Sequence, residues 1–156
     1  MASILPLPHA VVGEFVGRSH MDLARVGELL AEYPTLIHAC FDWGNGDFES
    51  ALGAAAHSGR RDIVEFLLFK GARLDIFAAS FLGRLSLVRS FLHETPAALH
   101  QNGPHGISLM DHAKKGGNAD MVAYLRKLLE PAKARSAKAK AKSAPRNGKT
   151  KRRKAA

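Results

Sequence analysis

The chain has 156 residues, which suits one domain with a modest core, and its hydrophobic fraction of 46% is ordinary for a folded protein. The net charge of +9 comes from the C-terminus, because residues 131–156 hold 11 Lys and Arg and no acid. The only cysteine, Cys40, excludes an intrachain disulfide and suits a reducing compartment. We find no signal-peptide pattern and no membrane-length apolar run, so we expect a cytoplasmic protein, or a nuclear one in a eukaryote.

Three segments of the sequence share one pattern. In each, a glycine is followed after four residues by an apolar pair, and a second pair follows four residues later, with Arg126 replacing the last apolar residue of the third copy. Apolar residues at this spacing lie on one face of a helix, and the glycine can end a preceding helix. The pattern therefore predicts helical hairpins that bury their apolar faces by stacking. The three glycines are Gly59, Gly83 and Gly117.

Taken in chain order, the pattern predicts eight helices and few strands. Gly71 is a stop signal after the fourth helix, and the prolines Pro34 and Pro96 are stop signals after the second and sixth. The predicted helices cover residues 8–18, 21–32, 50–58, 61–70, 75–82, 85–93, 108–116 and 119–129. The predicted fold class is all-α, with about four stacked hairpins in residues 1–130 and a disordered tail in residues 131–156.

The segment from Ser50 to Gly59, continued by Ile63-Val64, Leu67-Leu68 and Gly71-Ala72, resembles an ankyrin repeat. Residues 108–125 resemble a second copy, residues 74–92 a weaker one, and residues 17–36 the second half of a degenerate first repeat. The resemblance implies an ankyrin-like solenoid. It also implies an interaction module that binds a protein partner through its concave face, and we expect the chain to be a monomer.

The sequence departs from the ankyrin pattern in two ways. The spacing from Gly59 to Gly83 is 24 residues, against a repeat period of about 33, so we expect the third repeat to lack the β-hairpin finger that joins repeats. The histidine of the family motif is replaced by Gly53, Phe77 and Asp111. We therefore expect weaker hydrogen bonding between repeats and a stack of modest stability.

Residues 42–49 are rich in oxygen ligands and glycine, as calcium loops are. Position 12 counted from Asp42 is Gly53 instead of the bidentate Glu of a calcium loop, so we interpret the segment as an extended finger. Gly44 and Gly46 permit its turn. We expect Phe48 to pack in the core, whereas Trp43 either packs under the loop or is an exposed binding anchor.

The family's contact positions are the fingers and the residues just before the glycine of each hairpin. Phe81 and Leu82 are apolar where polar residues are common, so they form either a hydrophobic hot spot or part of the core, which the missing finger would let them close. The residues predicted to bind a partner are Trp43, Asn45, Asp47, Glu49, His57, Ser58, Phe81, Leu82, His105 and Lys115.

We expect neither catalysis, nor a cofactor, nor a bound metal. No nucleophile motif or phosphate-binding loop is present in the sequence. The His38 and Cys40 spacing is not one that zinc sites use, and nothing in the sequence fixes His105 relative to His112.

The tail has no large apolar side chain, so we expect it to be disordered. Its Lys, Ala, Pro and Ser content resembles the tails of histone H1-like chromosomal proteins. Its cations attract polyanions, which makes a nucleic-acid-associated protein the alternative function, without sequence recognition because aromatic residues are missing from the tail. The expected nucleic-acid contacts are Lys138, Lys140, Lys142, Lys151, Arg152, Arg153 and Lys154.

Overall fold

Four helical hairpins follow one another along residues 6–130, the part of the chain that the computed structural model describes. Every predicted helix is present, with its ends displaced by two residues at most. Two short strands, β1 (Cys40–Asp42) and β2 (Phe48–Ser50), pair antiparallel between the first and second hairpins. Helices α1 to α8 span His9–Arg18, Leu23–Glu32, Ala51–Ser58, Arg61–Phe69, Ile76–Phe81, Leu85–Glu94, Leu109–Lys115 and Ala119–Leu129.

The first helices of the last three hairpins begin in the same way. Ser50, Asp75 and Ser108 lie just before α3, α5 and α7, and each side-chain oxygen accepts a hydrogen bond from the backbone N–H three residues ahead. This N-cap satisfies one of the free amides of the first helical turn. The repeated cap keeps these helix starts in equivalent positions along the stack.

The same three hairpins turn at glycine. Gly59, Gly83 and Gly117 have φ values of 82°, 72° and 69°, in the left-handed region that glycine enters without steric cost. This confirms the predicted role of the three glycines. The first hairpin has no such glycine, and at its turn the buried Ser19 hydroxyl donates to the carbonyl of Phe15 over 2.8 Å.

The stack is built on the first helix of each hairpin. Helices α1, α3, α5 and α7 contact one another in order, and each second helix packs on the first helix of its own hairpin. The core has two parts that meet at α5, since Ala78 and Phe81 belong to the part formed by α1–α4, and Ile76 and Ala79 to the other. Phe81 is only 2% exposed, so it closes the core.

The third hairpin has no finger. Residues 70–75 join α4 to α5 without a strand, as the short glycine spacing predicts. Two hydrogen bonds nevertheless connect the third and fourth hairpins: the Ser80 hydroxyl donates to the Leu109 carbonyl over 2.9 Å, and the Asn118 amide to the Phe81 carbonyl over 2.6 Å. None of the helices in residues 6–130 has the length and apolar character needed to cross a bilayer.

Candidate functional site

The finger consists of β1, β2 and the turn between them. Phe41 pairs with Glu49, and side chains alternate along a strand, so these two share one face of the hairpin while Phe48 lies on the other. Glu49 is consequently buried and Phe48 is 64% exposed. The prediction that Phe48 packs in the core is therefore wrong, because the alternation of side chains along β2 places Glu49 inward and Phe48 outward.

Glu49 is a fully buried carboxylate at the centre of a polar cluster. His57 Nε2 lies 2.6 Å from its Oε1, and Trp43 Nε1 donates to its Oε2 over 2.7 Å. The Nε2 atoms of His105 and His20 lie 3.4 and 3.6 Å from the same carboxylate. We call His20, Glu49, His57 and His105 the histidine–glutamate cluster.

The far sides of two of these imidazoles are held by hydrogen bonds. His20 Nδ1 lies 3.1 Å from the Gly17 carbonyl, and His105 Nδ1 lies 2.7 Å from Asp47 Oδ2. A carbonyl and an ionised carboxylate only accept, so both Nδ1 atoms carry the proton. These contacts direct both Nε2 atoms toward Glu49 and fix the orientation of the rings.

The loop that carries His105 is conformationally unusual. His105 has a φ of 56°, in the left-handed region, which few non-glycine residues adopt and which costs on the order of 1 kcal/mol or more. Its backbone N–H donates to Asp47 Oδ1 over 2.9 Å while its ring contacts Oδ2. One carboxylate on the finger therefore holds both the backbone and the side chain of a residue in the fourth hairpin.

The charges in the site stabilise one another. The pKa of Asp47 is lowered, chiefly by the backbone N–H of His105. Burial alone would raise the pKa of Glu49 and lower that of His105. For Glu49, hydrogen bonds from His57 and Trp43 outweigh the effect of burial, and its pKa is lowered. For His105, the hydrogen bond and charge of Asp47 and the charge of Glu49 outweigh the effect of burial, and its pKa is raised. The site thus favours ionised carboxylates beside a protonated His105.

Five of the residues predicted to bind a partner meet here: Trp43, Asp47, Glu49, His57 and His105. Trp43 packs partly under the loop, since its indole N–H is bound to Glu49 and its ring contacts Phe41. It is also 44% exposed, and its role as a binding anchor stays a prediction. Asn45 lies exposed at the fingertip. The predicted residues Ser58 and Lys115 belong to the second and fourth hairpins. They lie close to each other, because the Lys115 side chain passes over Gly59, the residue after Ser58.

Two predicted contact residues are corrected by the structure. Glu49 and Phe81 are buried, the first under the finger and the second in the core, so neither presents a surface to a partner. For Phe81 this decides between the two predicted roles in favour of the core, with Leu82 partly buried against it.

Sequence reasoning missed His20. It lies at the turn of the first hairpin, which the repeat pattern describes poorly, and is 29 residues from Glu49 and 85 from His105 along the chain. No local motif joins the four residues, and only the stacking of hairpins brings them together. His112, considered beside His105, lies elsewhere, with its buried ring against Phe77 and its Nδ1 at the Ser108 carbonyl.

Comparison with known proteins finds one segment of the chain that is similar to a known repeat family. Residues 47–80 match the ankyrin repeat family model, and this segment contains β2, α3, α4 and most of α5. No curated protein and no solved structure matches the chain significantly. Ankyrin repeats are typically non-enzymatic scaffolds, which supports a general role in protein–protein interaction.

Proposed function

We propose that the chain binds a protein partner through the finger surface, which takes in both faces of the finger and is defined as the exposed parts of Trp43, Asn45, Asp47, Phe48, His57, Ser58, His105 and Lys115. The observation that carries the proposal is the pair of exposed aromatic rings on the finger, Phe48 at 64% and Trp43 at 44% exposed. Exposed aromatic side chains beside polar groups are the usual composition of binding hot spots. Apart from Phe48, every residue of this surface is among those predicted from the sequence to bind a partner.

The finger is suited to binding because hydrogen bonds within the chain order it before a partner binds. The Trp43 indole is bound to Glu49, and Asp47 is bound to His105 by two hydrogen bonds. A surface that is already ordered loses less conformational entropy on association. The finger therefore presents its aromatic rings at little additional cost.

The proposal is tested by replacing one exposed aromatic residue of the finger and one elsewhere. A partner isolated with the wild-type full chain is titrated with Phe48→Ser and with Phe69→Ser, a matched control because Phe69 is 85% exposed on α4. We expect Phe48→Ser to weaken binding by roughly 30-fold, the size of a hot-spot loss, and Phe69→Ser to leave it unchanged. Unchanged binding by Phe48→Ser would reject the finger surface.

A groove beside α6 is a second candidate for the partner-binding surface. Leu87 and Phe91 on α6 are about half exposed and line an apolar groove of about 480 Å³ beside the start of α5. In the same titration, loss of binding with Phe91→Ser but not with Phe48→Ser would assign the partner to this groove.

The alternative function is association with nucleic acid through the basic tail, and the observation that favours it is the run of 11 cations without an acid in residues 131–156. All seven predicted nucleic-acid contacts, and the predicted disorder of the tail, lie outside the described residues. The two functions are compatible, because they use different residues of the chain. The salt dependence of binding separates them.

A further inference from the structure

We propose that the histidine–glutamate cluster is a binding site for a divalent transition metal, with zinc as the preferred ion. His20, Glu49, His57 and His105 each offer one ligand atom, and these four atoms all lie within 4.8 Å of one another. The proposal goes beyond the protein-binding function: it concerns the ligand atoms around the buried Glu49, although the exposed parts of His57 and His105 also belong to the finger surface.

The separations suit a tetrahedral ion. Ligands about 2.05 Å from a central zinc ion are about 3.3 Å apart along the edges of a tetrahedron. The Nε2 atoms of His57 and His105 lie 2.6 and 3.4 Å from Glu49 Oε1, and that of His20 lies 3.6 Å from Glu49 Oε2. All four ligand atoms lie within 4.8 Å of one another, so changes of up to about 1.5 Å in their separations bring them to the tetrahedral edge length.

The surroundings of the cluster are those of a ligand set. Metal-bound histidines usually donate their second ring N–H to a carbonyl or a carboxylate, which orients the ring and makes the ligating nitrogen more basic. His20 does this with the Gly17 carbonyl, and His105 with the Asp47 carboxylate. In both rings, Nε2 is the nitrogen that faces the cluster, and a metal ion binds it by displacing any proton that it carries.

The donor atoms of the cluster determine which ions it can bind. Three imidazole nitrogens and one carboxylate oxygen suit zinc and neighbouring transition metals, whereas calcium and magnesium require oxygen ligands. Glu49 is fully buried and His57 is nearly so, while His105 remains partly accessible. His20 is also partly accessible, at 21% exposed, so an ion reaches the site past His20 and His105.

Zinc titration of the untagged full chain tests the proposal. Trp43, the only tryptophan, donates to Glu49 and provides a fluorescence signal at the site, and calorimetry gives the stoichiometry. We expect one equivalent of Zn²⁺ to bind, with calcium and magnesium giving no response. Replacement of a ligand, His57→Ala or His20→Ala, weakens binding by at least roughly 100-fold. Asp47→Asn, which weakens the support of His105 without removing a ligand, does so by about 10- to 100-fold.

Two matched controls keep the result specific. His93→Ala removes an imidazole that is 85% exposed on α6, and Cys40→Ser removes the only thiol, so neither should change the affinity. Absence of saturable zinc binding, or equal losses in His93→Ala and His57→Ala, would overturn the proposal and leave a hydrogen-bonded cluster only. Because a ligand variant can lose its fold, Co²⁺ is also added to the wild type, where intense four-coordinate absorption bands support the site and weak six-coordinate bands reject it.

Discussion

Glu49 depends on its neighbours more than any other side chain on the finger, because its carboxylate is fully buried and accepts from Trp43 and His57. A buried polar group that loses its partners costs about 1–3 kcal/mol, and charged groups cost more. The replacement Glu49→Gln keeps the shape of the side chain and removes its charge. We expect it to lower the free energy of unfolding by about 2–3 kcal/mol in urea denaturation.

The matched control for this variant is Glu28→Gln. Glu28 forms an exposed ion pair with Arg25 over 2.8 Å, and exposed pairs contribute about 1 kcal/mol or less. If both variants lose the same stability, the burial of Glu49 is not what makes its interactions strong.

The pair of Asp47 and His105 predicts a pH dependence of stability. The raised pKa of His105 stabilises the fold at low pH, and this contribution is lost as the pH rises through the folded-state value. The lowered pKa values of Asp47 and Glu49 stabilise the fold at pH values above the ordinary carboxylate pKa. This contribution is lost as the pH falls through the pKa values that these two groups have in the folded state. The groups facing His105 are Asp47, Glu49, His57 and His20.

We therefore expect the difference in urea midpoint between the wild type and Asp47→Asn to be largest at about pH 5.5, between the ordinary carboxylate and histidine pKa values. The difference narrows toward alkaline pH, where His105 is neutral, and toward strongly acid pH, where Asp47 is protonated. A difference that stays constant across this range would contradict the proposed charge pairing.

At the scale of the elements, close packing of α7 against α5 makes Gly116 irreplaceable. A Cβ added at Gly116 would collide with the backbone carbonyl oxygen of Phe81, which cannot move aside as a side chain could. We expect Gly116→Ala to destabilise the fold by more than about 2 kcal/mol, measured by thermal and urea unfolding.

Gly27→Ala is the control for this substitution. Gly27 is inside α2, and an added Cβ would meet the Phe66 ring at an ordinary distance of 3.8 Å. Because alanine is the better helix former, we expect a gain of about 0.5–1 kcal/mol. A loss in Gly27→Ala equal to that in Gly116→Ala would indicate a general intolerance of substitution instead of a clash.

The helices were predictable because each depends on information within about ten residues. Apolar pairs four residues apart, with Gly59 or Pro34 as a stop signal, determine where a helix lies whatever its neighbours are. The orientation of Phe48 was not predictable in this way, since β2 is three residues long and too short to show an alternating pattern. His20 was missed because its partners depend on how the hairpins stack.

At the scale of the whole molecule, the charge asymmetry predicts a salt-dependent interaction. Residues 6–130 and the tail differ in sign of charge, so binding to duplex DNA should depend on the tail. Changing the seven predicted tail contacts to Gln in the full chain should lower the slope of log affinity against log salt by roughly six if all seven reach phosphates. The control replaces Lys114, Lys115 and Lys127, which are exposed in the folded part. An equal effect in both variants would exclude a dedicated role for the tail.

The bond between Asp47 and His105 has a consequence for how the stack unfolds. In a repeat array, each unit normally contacts only its neighbours, so a terminal unit can fray alone. Here the finger reaches past the short third hairpin to the loop before α7, and α7 also contacts α3 directly. The fourth hairpin is therefore tied to the second as well as to the third, and its amides should exchange with deuterium at rates close to those of α3, as parts of one cooperative unit.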